Sequence, residues 1–148
     1  MDEAFLPKMI EQCRDDKERG LVYILYYTGM HGSCLREISL ESLVREGPKT
    51  YLNWKRTKTK KTMQVLIPKD KLDPVKAFLE SKKQSLQWYN VLLKRMASRA
   101  GYDRVSTMTF RHTRCIREIR EGTPVFLVHH KMGCTLDVVA RNYTKMED

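Results

Sequence analysis

Tyr143 stands five residues before the last residue, Asp148, in "ARNYTKMED". A tyrosine there can be an apolar body with one buried hydroxyl, or a nucleophile that forms a covalent intermediate. Two other features bear on the choice. Arg111 lies within "TFRHTR", and a cluster of cations lies within "KRTKTKK" at residues 55–61. Phosphoryl transfer through a tyrosine needs such a set. The phenol is a weak nucleophile, so the phosphate has to be prepared electrostatically. Arginine holds two non-bridging oxygens in a planar fork, and a lysine can deliver a proton to the leaving 5′ oxygen. With cations in these roles the chemistry needs no metal, and the sequence has no evident acidic metal-binding cluster.

The composition suits a polyanionic partner. The chain has 148 residues and a net charge of +10. That length fits one domain, and an apolar share of 41% is enough for a real core. Charge of this sign most often means nucleic acid; a merely soluble basic protein is the alternative. The four cysteines, Cys13, Cys34, Cys115 and Cys134, form no C-x-x-C pair, so zinc is not expected and reduced, partly buried thiols are. With no signal peptide and no long apolar run, a cytoplasmic protein without a membrane partner is expected.

The elements that must position these groups are mostly helical. Lys8 to Arg19 reads as a short polar helix that ends at Gly20. "LVYILYYTGM" is apolar nearly all round and reads as a buried helix. Gly29 and Gly32 allow a sharp turn. "SCLREISLESL" resumes a helical pattern with Leu35, Ile38 and Leu43 inward. The one strand signal is "TYLNW" followed by "TMQVLI", a hairpin rich in β-formers. Its tip carries Lys55, Arg56, Lys58, Lys60 and Lys61. Five cations within seven residues, spaced by threonines, suit a phosphate backbone as well as a solvated turn. Asp73 as N-cap and Pro74 at the first position open the next helix. "SLQWYNVLLKRMASRAG" and "STMTFRHTRCIREIREG" follow as helices ended by Gly101 and Gly122. "TPVFLVHHKMG" starts with Thr123 as N-cap, and a last short helix starts at Thr135.

The stretches "LYYTGMHGSCLREISLESL", "KRTKTKK", "TFRHTR", "LVHHKMG" and "ARNY" come in the order found in tyrosine recombinases, the family of phage and archaeal integrases and Xer-type resolvases. The chain resembles the catalytic domain of that family from about Leu21 to Tyr143. The resemblance implies a mainly α fold with a small antiparallel β-hairpin or sheet. It also implies that residues 1–148 form a single C-terminal-type catalytic domain, without the upstream DNA-clamping domain that integrases usually carry. Residue by residue, the family's hairpin lysine matches Lys58, with Lys60 the neighbouring candidate. The second catalytic arginine matches Arg111, with His112 as its structural follower, and the nucleophile matches Tyr143.

Other positions depart from the family pattern. In its first motif, T-G-(apolar)-Arg-x-x-Glu, Thr28 and Gly29 match. His31 then falls where the first catalytic arginine belongs, and Cys34 falls where its acidic neighbour belongs. Met108 stands three residues before Arg111 in place of a histidine or lysine, and Cys134 replaces a histidine or tryptophan. Imidazolium lacks the guanidinium fork, so chemistry favours Arg36 as the first arginine and ungapped alignment favours His31. His130, beside His129, competes for the lost histidine role.

The resemblance implies site-specific DNA recombination through a 3′-phosphotyrosine intermediate, with no cofactor because the exchange is isoenergetic. Double-stranded DNA and other protomers in a tetrameric synapse would be the partners. Three alternatives stay open: a degenerate recombinase fold that binds DNA without cutting it, a type IB topoisomerase, and a basic helical protein- or RNA-binding module.

Overall fold

The computed structural model describes residues 3–56 and 61–132, with the backbone alone for residues 129–132. Six helices and three strands follow in the order α1 (Phe5–Glu11), α2 (Asp16–Thr28), β1 (Leu43–Glu46), β2 (Lys49–Lys55), β3 (Thr62–Ile67), α3 (Leu72–Glu80), α4 (Leu86–Arg99), α5 (Thr107–Arg120) and α6 (Val125–Met132). Short 3-10 turns at Gly32–Arg36, Leu40–Ser42 and Lys69–Lys71 join them. No described helix is long and apolar enough to cross a membrane.

The helix predicted from Lys8 to Arg19 is instead broken in two. Asp15 is the reason, because its side chain accepts from the amide of Glu18 at 2.9 Å and starts a new helix. Gly20 does not stop that helix. A Cβ on Gly20 would lie 2.1 Å from the carbonyl oxygen of Pro74, so glycine lets α3 press onto α2. The buried run Leu21–Leu25 then fills the centre of the core, as the all-round apolar pattern predicts.

α2 ends at Gly29, whose φ of 61° is the left-handed cap and whose amide donates to Leu25. The Thr28 hydroxyl donates to the Ile24 carbonyl at 2.6 Å and accepts from the Met30 amide at 3.1 Å. One side chain thus ties the helix end to the turn after it. That turn is not the helix predicted over "SCLREISLESL". It is a tight 3-10 turn, Gly32–Arg36, that buries Cys34 and Leu35, with Ile38 buried just beyond it. Leu43 enters a strand.

The sheet has three antiparallel strands in the order β1-β2-β3, one more than the predicted hairpin. Leu52 pairs with Leu43 on one side and Val65 on the other, and these three point to the core. Val44 and Leu66 face outward on the other side of the sheet. α3 opens at Leu72, with Asp73 in its first turn rather than at the cap. Ser85 caps α4 through the Trp88 amide, and Ser106 and Thr109 cap α5 reciprocally. A smaller apolar cluster of Cys115, Ile119 and Val128 joins α5 to α6.

Candidate active site

The turn between α2 and β1 is the meeting point of three distant stretches. The first contact comes from α5. Arg111 Nη1 donates to the carbonyl of Gly29 at 2.9 Å. Arg117 Nη2 donates to the carbonyl of Tyr26 at 3.0 Å, and its guanidinium lies 3.8 Å from the centre of the Tyr26 ring. Both cations sit at the carboxyl end of α2, where the outgoing carbonyls carry partial negative charge. The second contact comes from β2, because the Cys34 thiol points to the carbonyl of Lys55 at 3.6 Å. The third is steric. A Cβ on Gly32 would lie 2.3 Å from Leu86 Cδ1 and 2.7 Å from Thr107 Oγ1, so the turn rests on the first turns of α4 and α5. Asn90 Oδ1 accepts from the Thr107 amide at 3.0 Å and sets those two helix starts against each other.

Within the turn the two rivals for the first arginine position have different settings. His31 is exposed and caps the turn. Its Nδ1 accepts from the Ser33 amide at 3.2 Å and lies 2.8 Å from the Ser33 hydroxyl. Arg36 is exposed at the far end of the same turn. Arg111 is half-buried on α5.

At the hairpin base, Lys55 is exposed and pairs with Thr62, and the Arg56 amide donates to the Lys61 carbonyl at 2.9 Å. Lys61 is exposed. Lys58 and Lys60 lie outside the described residues, as does Tyr143. His130 falls in α6, and its side chain is outside the described residues. Met108, which the resemblance sets at the family's histidine or lysine position, is an exposed residue in the first turn of α5. The structure therefore brings Arg111, His31 and Arg36 to one turn and ties the hairpin base to it.

Sequence reasoning missed two groups here. Arg117 carries no local mark beyond being one of several arginines on α5. The (i, i+4) spacing of Arg114 and Glu118 is legible, but their burial is not. Arg114 Nη2 lies 2.6 Å from Glu118 Oε1, and Thr123 Oγ1 donates to Glu118 Oε2 at 3.0 Å. Glu118 is only 5% exposed, so this network fastens the start of α6 to α5.

No protein-family profile matches the chain, and no curated protein matches it in sequence. Solved structures do match. XerA recombinase superposes with a TM-score of 0.77 at 16% identity, over 96% of this chain and 57% of that one. XerH site-specific recombinase bound to its difH substrate gives 0.74 at 16% identity, over 97% of this chain and 49% of that one. The catalytic domain of bacteriophage HP1 integrase gives 0.69 at 17% identity, over 97% of this chain and 86% of that one. The chain thus spans about half the length of the two Xer proteins. What these likenesses establish is architecture: this mainly helical chain with its three-stranded sheet has the fold of a tyrosine recombinase catalytic domain.

Proposed function

We propose that the protein is a DNA strand-exchange enzyme that cuts and rejoins duplex DNA through a 3′-phosphotyrosine. Tyr143 Oη gives its proton to solvent and attacks the scissile phosphorus, the bond to the 5′ oxygen breaks, and Lys58 gives that oxygen its proton. Arg111 holds the non-bridging oxygens. Arg36 supplies the second guanidinium, because the His31 ring is engaged as an acceptor in its own turn. The cations Lys55, Arg56, Lys60 and Lys61 bind the flanking backbone. Duplex DNA and other protomers are the partners, and the exchange consumes no cofactor. HP1 integrase and the Xer proteins, one of them bound to its DNA, share this fold and support the reading. The observation that carries it is the tie between Arg111 and Gly29 on the turn that ends in Arg36, with the hairpin base joined to the same turn through Cys34.

The test is a pool of nicked suicide duplexes with a randomised core, incubated with the protein and screened for a covalent adduct. Wild-type protein should be recovered linked to DNA, and Tyr143→Phe should not. An adduct that persists in Tyr143→Phe overturns the assignment of the nucleophile.

One observation favours a second reading, a recombinase fold that binds DNA without cutting it. His31, which the ungapped match sets at the family's first arginine position, has its Nδ1 engaged with Ser33 of its own turn. That reading expects salt-sensitive duplex binding and no adduct from any member of the pool.

A further inference from the structure

We infer that Arg117 is a positioning residue for Arg111. It fastens the carboxyl end of α2 to α5 and thereby fixes where the Arg111 guanidinium sits. The inference rests on the reading of Arg111 as the group that holds the phosphate.

Two anchors join these helices, and they run in opposite senses. Arg111 reaches the later residue of α2's end, Gly29, while Arg117 reaches the earlier one, Tyr26. A single anchor leaves a pivot. Two anchors, six residues apart on α5, fix both the slide and the rotation of one helix against the other. The second anchor is also the broader one, because it combines a hydrogen bond with stacking over a ring. The Tyr26 ring is braced in turn. It meets Tyr27 edge-on at 5.4 Å, and Tyr27 stacks with Tyr23 at 6.3 Å. Beyond Gly29 the chain passes directly into the turn with His31 and Arg36. Arg117 therefore acts on both sides of the site, on α5 and on the turn.

Stability alone does not account for an arginine at this position. Among the described residues its Nη1 is buried with no hydrogen-bond partner. A buried donor left unpaired is destabilising, and an apolar side chain of the same shape removes that penalty. A methionine ends at the level of the arginine Nε and keeps an apolar, polarizable stem beside the Tyr26 ring. What it would lose is the directional bond to the Tyr26 carbonyl.

The test uses the whole chain labelled with 15N at arginine, together with the suicide duplexes described above. The bond to Gly29 restrains the Arg111 guanidinium, so its side-chain signals, identified by their absence in Arg111→Ala, should be resolved and slow to exchange. In Arg117→Met they should broaden or exchange at least tenfold faster, while the melting temperature holds or rises. Adduct formation should slow at least tenfold with duplex affinity within twofold. In an Arg111→Ala background, Arg117→Met should cause no further loss. Arg117→Lys, which keeps charge and one donor, should recover part of both readouts and decides the matter if the methionine variant melts early. Unchanged Arg111 signals in both variants overturn the inference. So does an equal loss of adduct with and without Arg111. If wild-type protein forms no adduct at all, the strand-exchange reading fails by itself, and the Arg111 signals alone still show whether Arg117 orders that side chain.

Discussion

Arg111 donates from Nη1 to the main-chain oxygen of Gly29 at 2.9 Å across 82 residues of sequence. The side chain proposed to hold the phosphate is thus tied to the backbone that leads into the turn bearing Arg36. Lysine has neither the length nor the fork to keep this bond and grip two oxygens. Arg111→Lys should reduce adduct formation on nicked duplexes at least 100-fold. Loss of the bond should lower stability by about 1 kcal/mol, read from urea melts.

Among the described residues, Gly20 and Gly32 sit at close approaches, and they differ in what stands opposite. At Gly20 it is backbone, the Pro74 oxygen at 2.1 Å from a Cβ. At Gly32 it is the side chains of Leu86 and Thr107, which can move. Gly20→Ala should destabilise by about 3 kcal/mol and Gly32→Ala by about 1 kcal/mol. Chemical denaturation of both variants checks the order, and the reverse order would mean that α3 yields more easily than the turn.

The Arg114–Glu118 pair joins a half-buried guanidinium to a buried carboxylate, with side chains 18% and 7% exposed. Removing one partner strands the other. Glu118→Leu should cost about 3 kcal/mol. Adding Arg114→Met to it should restore most of the loss, because two apolar groups of similar size replace the pair. A double-mutant cycle on melting data decides this.

Burial pushes the Cys13 thiol up to about 12 from an ordinary 9.0, with the nearby Glu18 carboxylate adding to the effect. The raised value favours the folded state fully below pH 9. That contribution is lost as pH climbs from 9 toward 12, because the unfolded thiol ionises first. Alkylation with iodoacetamide at pH 9, mapped by mass spectrometry, should label Cys13 much more slowly in folded than in urea-unfolded protein. Cys13→Ala should flatten the fall in stability between pH 9 and 11.

Binding to duplex DNA should fall steeply with salt. For each cation that contacts a phosphate, removal lowers the slope of log affinity against log salt by about 1. Lys55→Ala, at the exposed base of the hairpin, should do so without altering the melting temperature. Fluorescence anisotropy at several salt concentrations measures it. An unchanged slope would remove Lys55 from the interface.

The sequence by itself determined the helical character, the pairing of β2 with β3, and the ends of α4 and α5 near Gly101 and Gly122. These features rest on caps, periodicity and β-propensity, which act over a few residues. It also offered Arg111 as a candidate for phosphate chemistry. Only the tertiary structure decided that Gly20 is a contact rather than a stop, that "SCLREISLESL" becomes a 3-10 turn leading into a third strand, and that His31 spends its Nδ1 on that turn. Glycine marks a helix end or a close approach with the same letter, and only the arrival of α3 separates them. The pairing of Arg111 and Arg117 with Gly29 and Tyr26 was illegible for the same reason: carbonyls have no residue type, and which one an arginine meets depends on how two helices far apart in the chain are packed.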